Sequence, residues 1–536
     1  MKRTFTIIVI LFSALNSAWS QIQYLPYSYQ VYQKFDVDLY STGTREFTAT
    51  KPYFLSDSLL KHHYDSLMNY GNDGKQHSWA HNKLFNEHLI DIKNAKSAFY
   101  ADFLPDFDIG HDLSNKQNTN ITSIGLQAGG SVGNKFYYNI AGYRSSEVFP
   151  EYVSTYINQT GIVPGQAQAY LNGGNNYYWS YVTALVSYTP NKYLNISAGR
   201  DKTFIGDGYR SMFLSDYASP YPFLKLTGTL GNVRYMVLYA FFNDPRDESI
   251  TGNAENKYGV FHYLDWNVSN RLSLGFFDSI IWGNSDLSGH YRGFDFSYLS
   301  PVIFLRTLEA SNGSPDNALL GFTGKYKISN GVTLYGQFAL DEFIASEFFS
   351  SDGSFRNKYG WQLGIRGTNL FSVKGLNYLL ETNNVKPYTY SERGGLINYT
   401  ENGEPLAQPW GGNLREVVGL LNYSYKRFDF SAEADYGYYG LDVNGLNYGK
   451  NPFDDYTSPA QEFGNVTGQG LTTKMTYFEG KVAYLINPKY NLRIELGAIM
   501  RDEKNSVFND KTNLFTIGLR SSFRDVYNDL ASYRSH

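Results

Sequence analysis

The chain has 536 residues, of which 18% are charged, with 48 tyrosines, 37 phenylalanines, 50 glycines and no cysteine. A net charge of -4 speaks against a nucleic-acid partner, the missing cysteine excludes disulfides, thiolate metal sites and cysteine lipidation, and a mean hydropathy of -0.39 excludes a bundle of membrane helices. Several soluble domains or one large barrel fit that length; abundant tyrosine favours the barrel, because its amphipathic ring suits a membrane interface.

In chain order, Lys2 and Arg3 precede an apolar run from Phe5 to Leu15, and Ala18-Trp19-Ser20 resembles a small-residue cleavage site before Gln21. The run is too short to span a bilayer, so residues 1–20 read as a cleaved export signal. Residues 21–97 read as a helical segment on the periplasmic side, a base or plug beneath the strand-rich remainder of the chain. Ser56 or Asp57 caps one helix through Asn69, with Leu60, Tyr64 and Leu67 on one stripe, and a second helix covers Ser78–Lys93. His77, His81 and His88 fall on one face of it, but no carboxylate or cysteine completes a metal-binding set.

From about Tyr100 the pattern changes to strands of roughly ten residues with strict apolar–polar alternation. Short turns at Gly133-Asn134, Pro190-Asn191, Gly231-Asn232, Ser269-Asn270, Ser329-Asn330-Gly331, Lys426-Arg427 and Asn487-Pro488 alternate with long polar connections. The long connections lie near 148–175, 201–222, 243–256, 344–356, 387–412 and 440–470. Repeated strands, apolar outside and polar inside, with short turns at one end and long loops at the other, are the signature of a transmembrane β-barrel. With an export signal, that places residues 98–523 in the outer membrane of a Gram-negative bacterium, in contact with its lipid.

Phe294–Pro315 is apolar enough to mimic another strand. A single extra span there would put the Ser329-Asn330-Gly331 turn on the wrong side, and Pro301 and Pro315 disfavour two spans. The segment is therefore expected to fold inward as part of a long connection, leaving roughly 18 strands, an even number. Alternate positions place Gln362, Arg366, Glu381, Glu416, Asp429, Glu433, Asp435, Glu479, Lys481, Arg493, Glu495, Arg501 and Arg520 in the lumen. Both signs occur, which fits a plugged or narrow barrel better than an ion-selective pore.

The last hairpin is the clearest. Leu492, Ile494, Leu496, Ala498 and Met500 alternate with Arg493, Glu495, Gly497, Ile499 and Arg501, and Phe478, Val482 and Tyr484 alternate with Glu479, Lys481 and Ala483. With 487–489 as the turn, Ile486 faces Tyr490, which pairs Lys481 with Glu495 and Ala483 with Arg493 in the lumen and turns Val482 and Ile494 to lipid. Phe523 then ends the last strand, which must bond to the first near Tyr100–Ile109, and 524–536 is left as a periplasmic tail.

Three stretches carry a family resemblance. Gly199-Arg200-Asp201-Lys202 through Gly206-Asp207-Gly208-Tyr209-Arg210-Ser211 to Leu214-Ser215-Asp216 resembles the Wzi-type capsule assembly outer-membrane proteins. So does Ser300-Pro301-Val302-Ile303-Phe304 with Arg306, Glu309 and Gly313-Ser314-Pro315-Asp316-Asn317. Lys386-Pro387-Tyr388-Thr389-Tyr390, Asn398-Tyr399 and Pro405-Leu406-Ala407 are similar to the Bacteroidetes branch, which includes the gliding-motility protein RemB. The resemblance spans about 100–525. It implies an 18-strand barrel with periplasmic helices that holds surface polysaccharide or, in the RemB branch, serves gliding, with polysaccharide or the gliding/secretion machinery as partner.

Arg200, Asp201, Asp207, Arg210, Arg306, Glu309, Asp316 and Asn317 are the candidates, either to hydrogen-bond a sugar chain or to anchor an inward-folded loop. An enzyme is the weaker reading: His262 and Asp265 have opposite parity on one strand, and no Gly-x-Ser-x-Gly or paired-carboxylate signature stands out. No cofactor is implied. A channel for small solutes is the remaining alternative.

Overall fold

In the computed structural model, eighteen antiparallel strands close into one barrel. The structure describes residues 25–533 apart from 26, 54–57, 73, 246–254, 286–289, 303–315, 343–351 and 525. The expected export signal, residues 1–20, lies outside the described residues. The first six strands are β1 Ser97–Asp112, β2 Gln117–Val132, β3 Phe136–Val148, β4 Asn176–Asn191, β5 Leu194–Asp201 and β6 Tyr221–Leu230. Then come β7 Val233–Asp244, β8 Glu255–Asn267, β9 Leu272–Gly283, β10 Asn317–Ser329, β11 Val332–Glu342 and β12 Lys358–Gly367. The last six are β13 Leu376–Val385, β14 Leu414–Tyr425, β15 Phe428–Leu441, β16 Leu471–Asn487, β17 Leu492–Lys504 and β18 Asn509–Arg520.

Each strand pairs with the next, and β18 closes on β1 from Leu514 opposite Asp112 to Leu519 opposite Phe107. Closure matters because an open edge in lipid strands its N–H and C=O groups without partners. The strand ends at Arg520 rather than Phe523, whose ring packs against the amino-terminal core of Tyr32, Phe35 and Tyr53. Alternation does what the sequence pattern requires: on β17, Ile494, Leu496 and Met500 are about half exposed, whereas Glu495 and Arg501 are buried.

The closing hairpin keeps its faces but shifts its register. Ala483 lies opposite Glu495, Leu485 opposite Arg493 and Lys481 opposite Gly497. The turn is larger than three residues: Pro488–Tyr490 forms a 3₁₀ turn, Asn491 takes φ 54°, and Asn487 ends up opposite Leu492. The slip is two residues, so side-chain parity survives. The charges then pair along each strand rather than across, Lys481 with Glu479 and Arg493 with Glu495, both at 2.7 Å.

The first helix runs Ser58–Met68 and buries Leu60. The second stops at Phe85, short of the expected Lys93, because Ile90–Lys93 alternates and pairs with β1 instead. Ser78 caps it by accepting a hydrogen bond from the His81 N–H. Both helices sit at the short-turn end: Lys489 donates to Asn69, and the Asn487 amide donates to the carbonyls of Lys83 and Glu87.

Three further expectations change. Residues 27–53 do not stay beneath the barrel but rise into it, where Arg366 pairs with Asp36 and Lys327 donates to the carbonyls of Leu39 and Ser41. Residues 526–533 are no periplasmic tail; they thread back up the lumen, where Asp529 meets Arg210 and Arg501 donates to the Leu530 carbonyl. Phe294–Val302 lies on the outer face of the wall, not in the mouth. Phe294 and Tyr298 pack on Trp282, while the hydroxyls of Tyr239 and Tyr235 donate to the carbonyls of Leu299 and Pro301. Its aromatic rings find an apolar surface there, and the tyrosine hydroxyls serve its free carbonyls.

Candidate functional site

The lumen has two halves of different chemistry. Along β7–β10 the inward side chains are largely apolar, with Met236, Leu238, Phe242, Phe261, Phe277 and Leu319 in one buried cluster, and Asp265, Lys325 and Lys327 face inward nearer the short turns. This is why Met236–Phe242 reads as a continuous apolar run, since both faces of that wall are covered by protein or lipid. Along β12–β17 the inward side chains include Gln362, Glu381, Glu416, Asp435 and Glu495, all buried, with the apolar Leu414, Tyr439, Leu441 and Met475 toward the long loops. Between the halves lies the loop joining β5 to β6, residues 202–220.

That loop is bilingual. Met212 and Phe213 enter the apolar half, with the Phe213 ring stacked on Phe277 at 4.7 Å. Gly321 provides the seat, because a Cβ there would stand 2.1 Å from the Phe213 ring. Arg210, 2% exposed, enters the polar half. Its guanidinium bonds Glu416 at 2.6 Å, Asp435 at 3.2 Å and Asp529 of the returning tail. Burial alone would weaken the charge on Arg210, but Asp529 and Glu416 more than offset it and hold the group protonated. Glu381 accepts hydrogen bonds from the backbone N–H groups of Tyr209 and Arg210 and from the Tyr335 hydroxyl. Gly208 permits that approach: a Cβ would come within 2.2 Å of the Glu381 carboxylate.

Asp207 anchors the amino-terminal segment. It accepts from the hydroxyls of Tyr40 and Thr48. Burial would raise its pKa, yet Lys325 and Lys51, with these hydrogen bonds, hold the carboxyl below the usual range. The carboxyl-terminal segment is fixed by Trp410, whose indole N–H donates to the Asp529 carbonyl at 2.8 Å, and by the Tyr533 hydroxyl, which donates to the Pro409 carbonyl. Glu404, fully buried, accepts from the backbone N–H groups of Gly165 (2.6 Å) and Ser219 (2.8 Å), joining three connections at one carboxylate. Burial pushes it up to about 7 against those hydrogen bonds.

The candidate residues do not gather in one place. Asp207, Arg210 and Asn317 face the interior, and Asn317 donates to the Ile397 carbonyl. Asp201 also turns inward, accepting from the Lys202 N–H at 2.9 Å. Arg200 is exposed on the outward face of β5, and Asp316 sits at the outer rim with Arg292 and Tyr298. Arg306 and Glu309 lie outside the described residues. His262 faces outward beside Tyr235, and Asp265 faces the lumen next to the inward Tyr263. Among the described residues no group of three or more His, Asp or Glu is placed to hold a metal ion. His88 instead bonds Asp102, and His77 stacks on His81. Sequence reasoning missed Glu404, Trp410, Asp529 and Tyr533, which carry no periodic signal because they lie outside the strands, the first two in a connection and the last two in the segment after β18. An internal cavity of about 70 Å³ remains beside Tyr29, Tyr209, Glu433 and Lys481, room for about five waters and not for a sugar chain.

No protein-family model and no curated protein matches the sequence. Among solved structures, the chain is similar to Wzi of Escherichia coli, an outer-membrane protein involved in group 1 capsule assembly and described as a carbohydrate-binding β-barrel. That match has 14% identity and a TM-score of 0.55, covering 94% of this chain and 100% of Wzi. OprD of Pseudomonas aeruginosa (8% identity, TM-score 0.42, covering 81% of this chain and 98% of OprD) and OccAB2 of Acinetobacter baumannii (10%, 0.42, covering 79% and 97%) are looser matches. The likeness to Wzi is one of fold: a closed, Wzi-like barrel of the outer-membrane type.

Proposed function

We propose that this chain is a non-catalytic outer-membrane barrel acting at the cell surface in the attachment or assembly of polysaccharide. The observation that carries the reading is the filled lumen: residues 27–53, 202–220, 386–413 and 526–533 occupy it, joined to one another by Tyr40–Asp207 and Arg210–Asp529 and to the wall by Arg366–Asp36, Arg210–Glu416 and Gln408–Glu416. An 18-strand barrel is otherwise wide enough for an aqueous channel, so a chain that fills its own lumen is built as a platform and not as a solute pore. Carbohydrate binding by the similarly folded Wzi supports polysaccharide as the ligand.

The long loops then face out of the cell and the helices Ser58–Met68 and Trp79–Phe85 face the periplasm. Tyr170 and Tyr178, stacked 5.4 Å apart and partly exposed at the loop end, offer a flat ring surface of the kind on which sugars stack. Membership of the Bacteroidetes branch, and with it a gliding role, is the finer form of the proposal and rests on the 386–407 stretch. Arg306 and Glu309 enter by resemblance alone, and Arg306→Ala should weaken the surface phenotype with the barrel assembled.

The test is a gene deletion complemented with unaltered protein or Tyr170→Ala, scoring capsule retention and colony spreading, beside conductance of the purified protein in planar bilayers. Lost retention or spreading with no steady conductance supports the platform. Porin-sized conductance with both phenotypes intact would overturn it.

A further inference from the structure

On β14–β17 the outward side chains form an apolar belt whose last members toward the long loops are Val417, Tyr436, Phe478 and Met500, each 42–53% exposed. One or two outward positions further on, the chemistry changes at one height on all four strands. Arg415 lies opposite Tyr438, Tyr438 opposite Lys474, and Lys474 opposite Lys504. Arg415, Lys474 and Lys504 are exposed. On β18 Asn509 lies opposite Lys504, and Lys511, one outward position nearer the belt, lies opposite Asp502 and pairs with it at 3.1 Å.

Three facts make this row more than a solvated rim. The two lysines are direct cross-strand neighbours, an arrangement in which like charges repel. Neither has an acidic partner among the described residues, because Asp502 is engaged by Lys511 and the neighbouring Glu503 points inward to Arg501. The row also stands one outward position past the apolar belt on β14 and β15 and two past it on β16 and β17, the depth at which a lipid-facing Lys or Arg stops being costly and meets headgroups.

We propose that Arg415, Tyr438, Lys474 and Lys504 bind the phosphate groups of an anionic glycolipid in the leaflet on the long-loop side. A phosphate seated between Lys474 and Lys504 replaces their repulsion with two charge-assisted bonds. Tyr438, amphipathic and level with them, supplies a hydroxyl beside the acyl boundary. The partner is a lipid and not a soluble polysaccharide because the row faces sideways, into the plane of the bilayer, and away from the mouth. The inference rests on the membrane-spanning reading of the barrel and adds a ligand to its wall.

The test uses the full-length protein in mixed micelles, with native mass spectrometry counting retained lipid A that carries two phosphates. The same lipid without phosphates runs in parallel. Lys474→Gln/Lys504→Gln should lower retention of the phosphorylated lipid about 30-fold, from the loss of two basic residues at the surface. Lys474→Arg/Lys504→Arg should retain it, and Lys192→Gln/Lys374→Gln, remote from the row, should change nothing. Retention unchanged in the glutamine variant would overturn the proposal. So would equal retention of the phosphate-free lipid, an equal loss in the remote variant, or full displacement by soluble polyuronate. Heat-modifiable migration on gels tests the barrel itself, so failure of the membrane reading and failure of the lipid site are distinguishable. If the double glutamine variant does not assemble, Lys504→Gln alone should lose about fivefold.

Discussion

Replacing Arg210 by methionine keeps the side chain's reach and removes the charge that Glu416, Asp435 and Asp529 share. All four side chains are 4% exposed or less, so the carboxylates cannot turn to solvent. Removing one member of a buried ion set leaves uncompensated charge and costs about 3–5 kcal/mol. The urea midpoint for loss of the heat-modifiable folded band should fall accordingly, and Arg210→Met/Asp529→Asn should recover part of it. An unchanged midpoint would show that Arg210 does not hold the plug. Glu404 adds a pH dependence. Its carboxyl titrates near 7 when folded against 4.5 when free, so the folded state holds the proton longer. The stability this contributes is fully present below about pH 4.5 and is lost as pH rises through about 7, roughly 3 kcal/mol across the interval. Lys51 and Lys450, lowered by burial to about 7, work in the opposite sense from pH 7 upward, and Glu401 and Asp442, raised by burial to about 8 and about 6, work in the same sense as Glu404, so its share is read locally at the amides it accepts from. After correction for intrinsic rates, the Gly165 and Ser219 amides should exchange faster at pH 7 than at pH 4.5. Glu404→Gln should abolish that difference, and its persistence in the variant would assign the effect to another group.

Strands were legible where one face meets lipid and the other a polar interior, because only then does period-two alternation appear in the residues. β16 to β18 show it throughout, and parity held there even though the register moved by two when the Pro488–Tyr490 turn proved larger than assumed. The signal fades where a plug makes the interior apolar. Met236–Phe242 has no alternation, and its continuous run was the available clue that something apolar lies inside that wall. The plug itself was illegible, because its residues match partners hundreds of positions away: Arg366 meets Asp36 and Arg210 meets Asp529. Nothing in Arg524–His536 taken alone distinguishes a tail in the periplasm from one in the lumen. A truncation separates the roles of the two elements that meet there. The β18–β1 ladder ends at Leu519 opposite Phe107 and uses nothing beyond it, so a chain lacking 524–536 should still migrate as a heat-modifiable barrel. It loses Asp529 from Arg210, the Leu530 carbonyl from Arg501 and the Tyr533–Pro409 bond. Limited trypsin should therefore cut more readily after Arg210 and Lys202. Failure to assemble, or unaltered protection of both sites, would count against this division of labour.

At the scale of the molecule, a barrel this wide and its plug are two solutions to different problems. The wall satisfies its backbone through the closed ladder, and the outward belt satisfies the bilayer; neither needs the interior to be filled. Sixteen to eighteen strands enclose an aqueous channel when nothing occupies it. Here the loop 202–220 is the keystone of the filling, since it bridges the apolar half through Met212 and Phe213 and the acidic half through the charge of Arg210, while 386–413 reaches the same two halves through Tyr399 and Gln408. Replacing 203–219 with a short Gly-Ser linker removes both attachments and leaves the β5–β6 pairing, from Leu194 opposite Gly228 to Asp201 opposite Tyr221, in place. The exchange should give a barrel that still assembles and now shows steady conductance in planar bilayers. Its current should favour cations, because Glu416, Asp435 and Asp529 then face water without Arg210. Adding Glu416→Gln and Asp435→Asn should reduce that preference with little change in pore size. A loop-exchanged protein that assembles and stays closed would mean that residues 27–53 and 386–413 seal the lumen without the loop, and the keystone would lie with them.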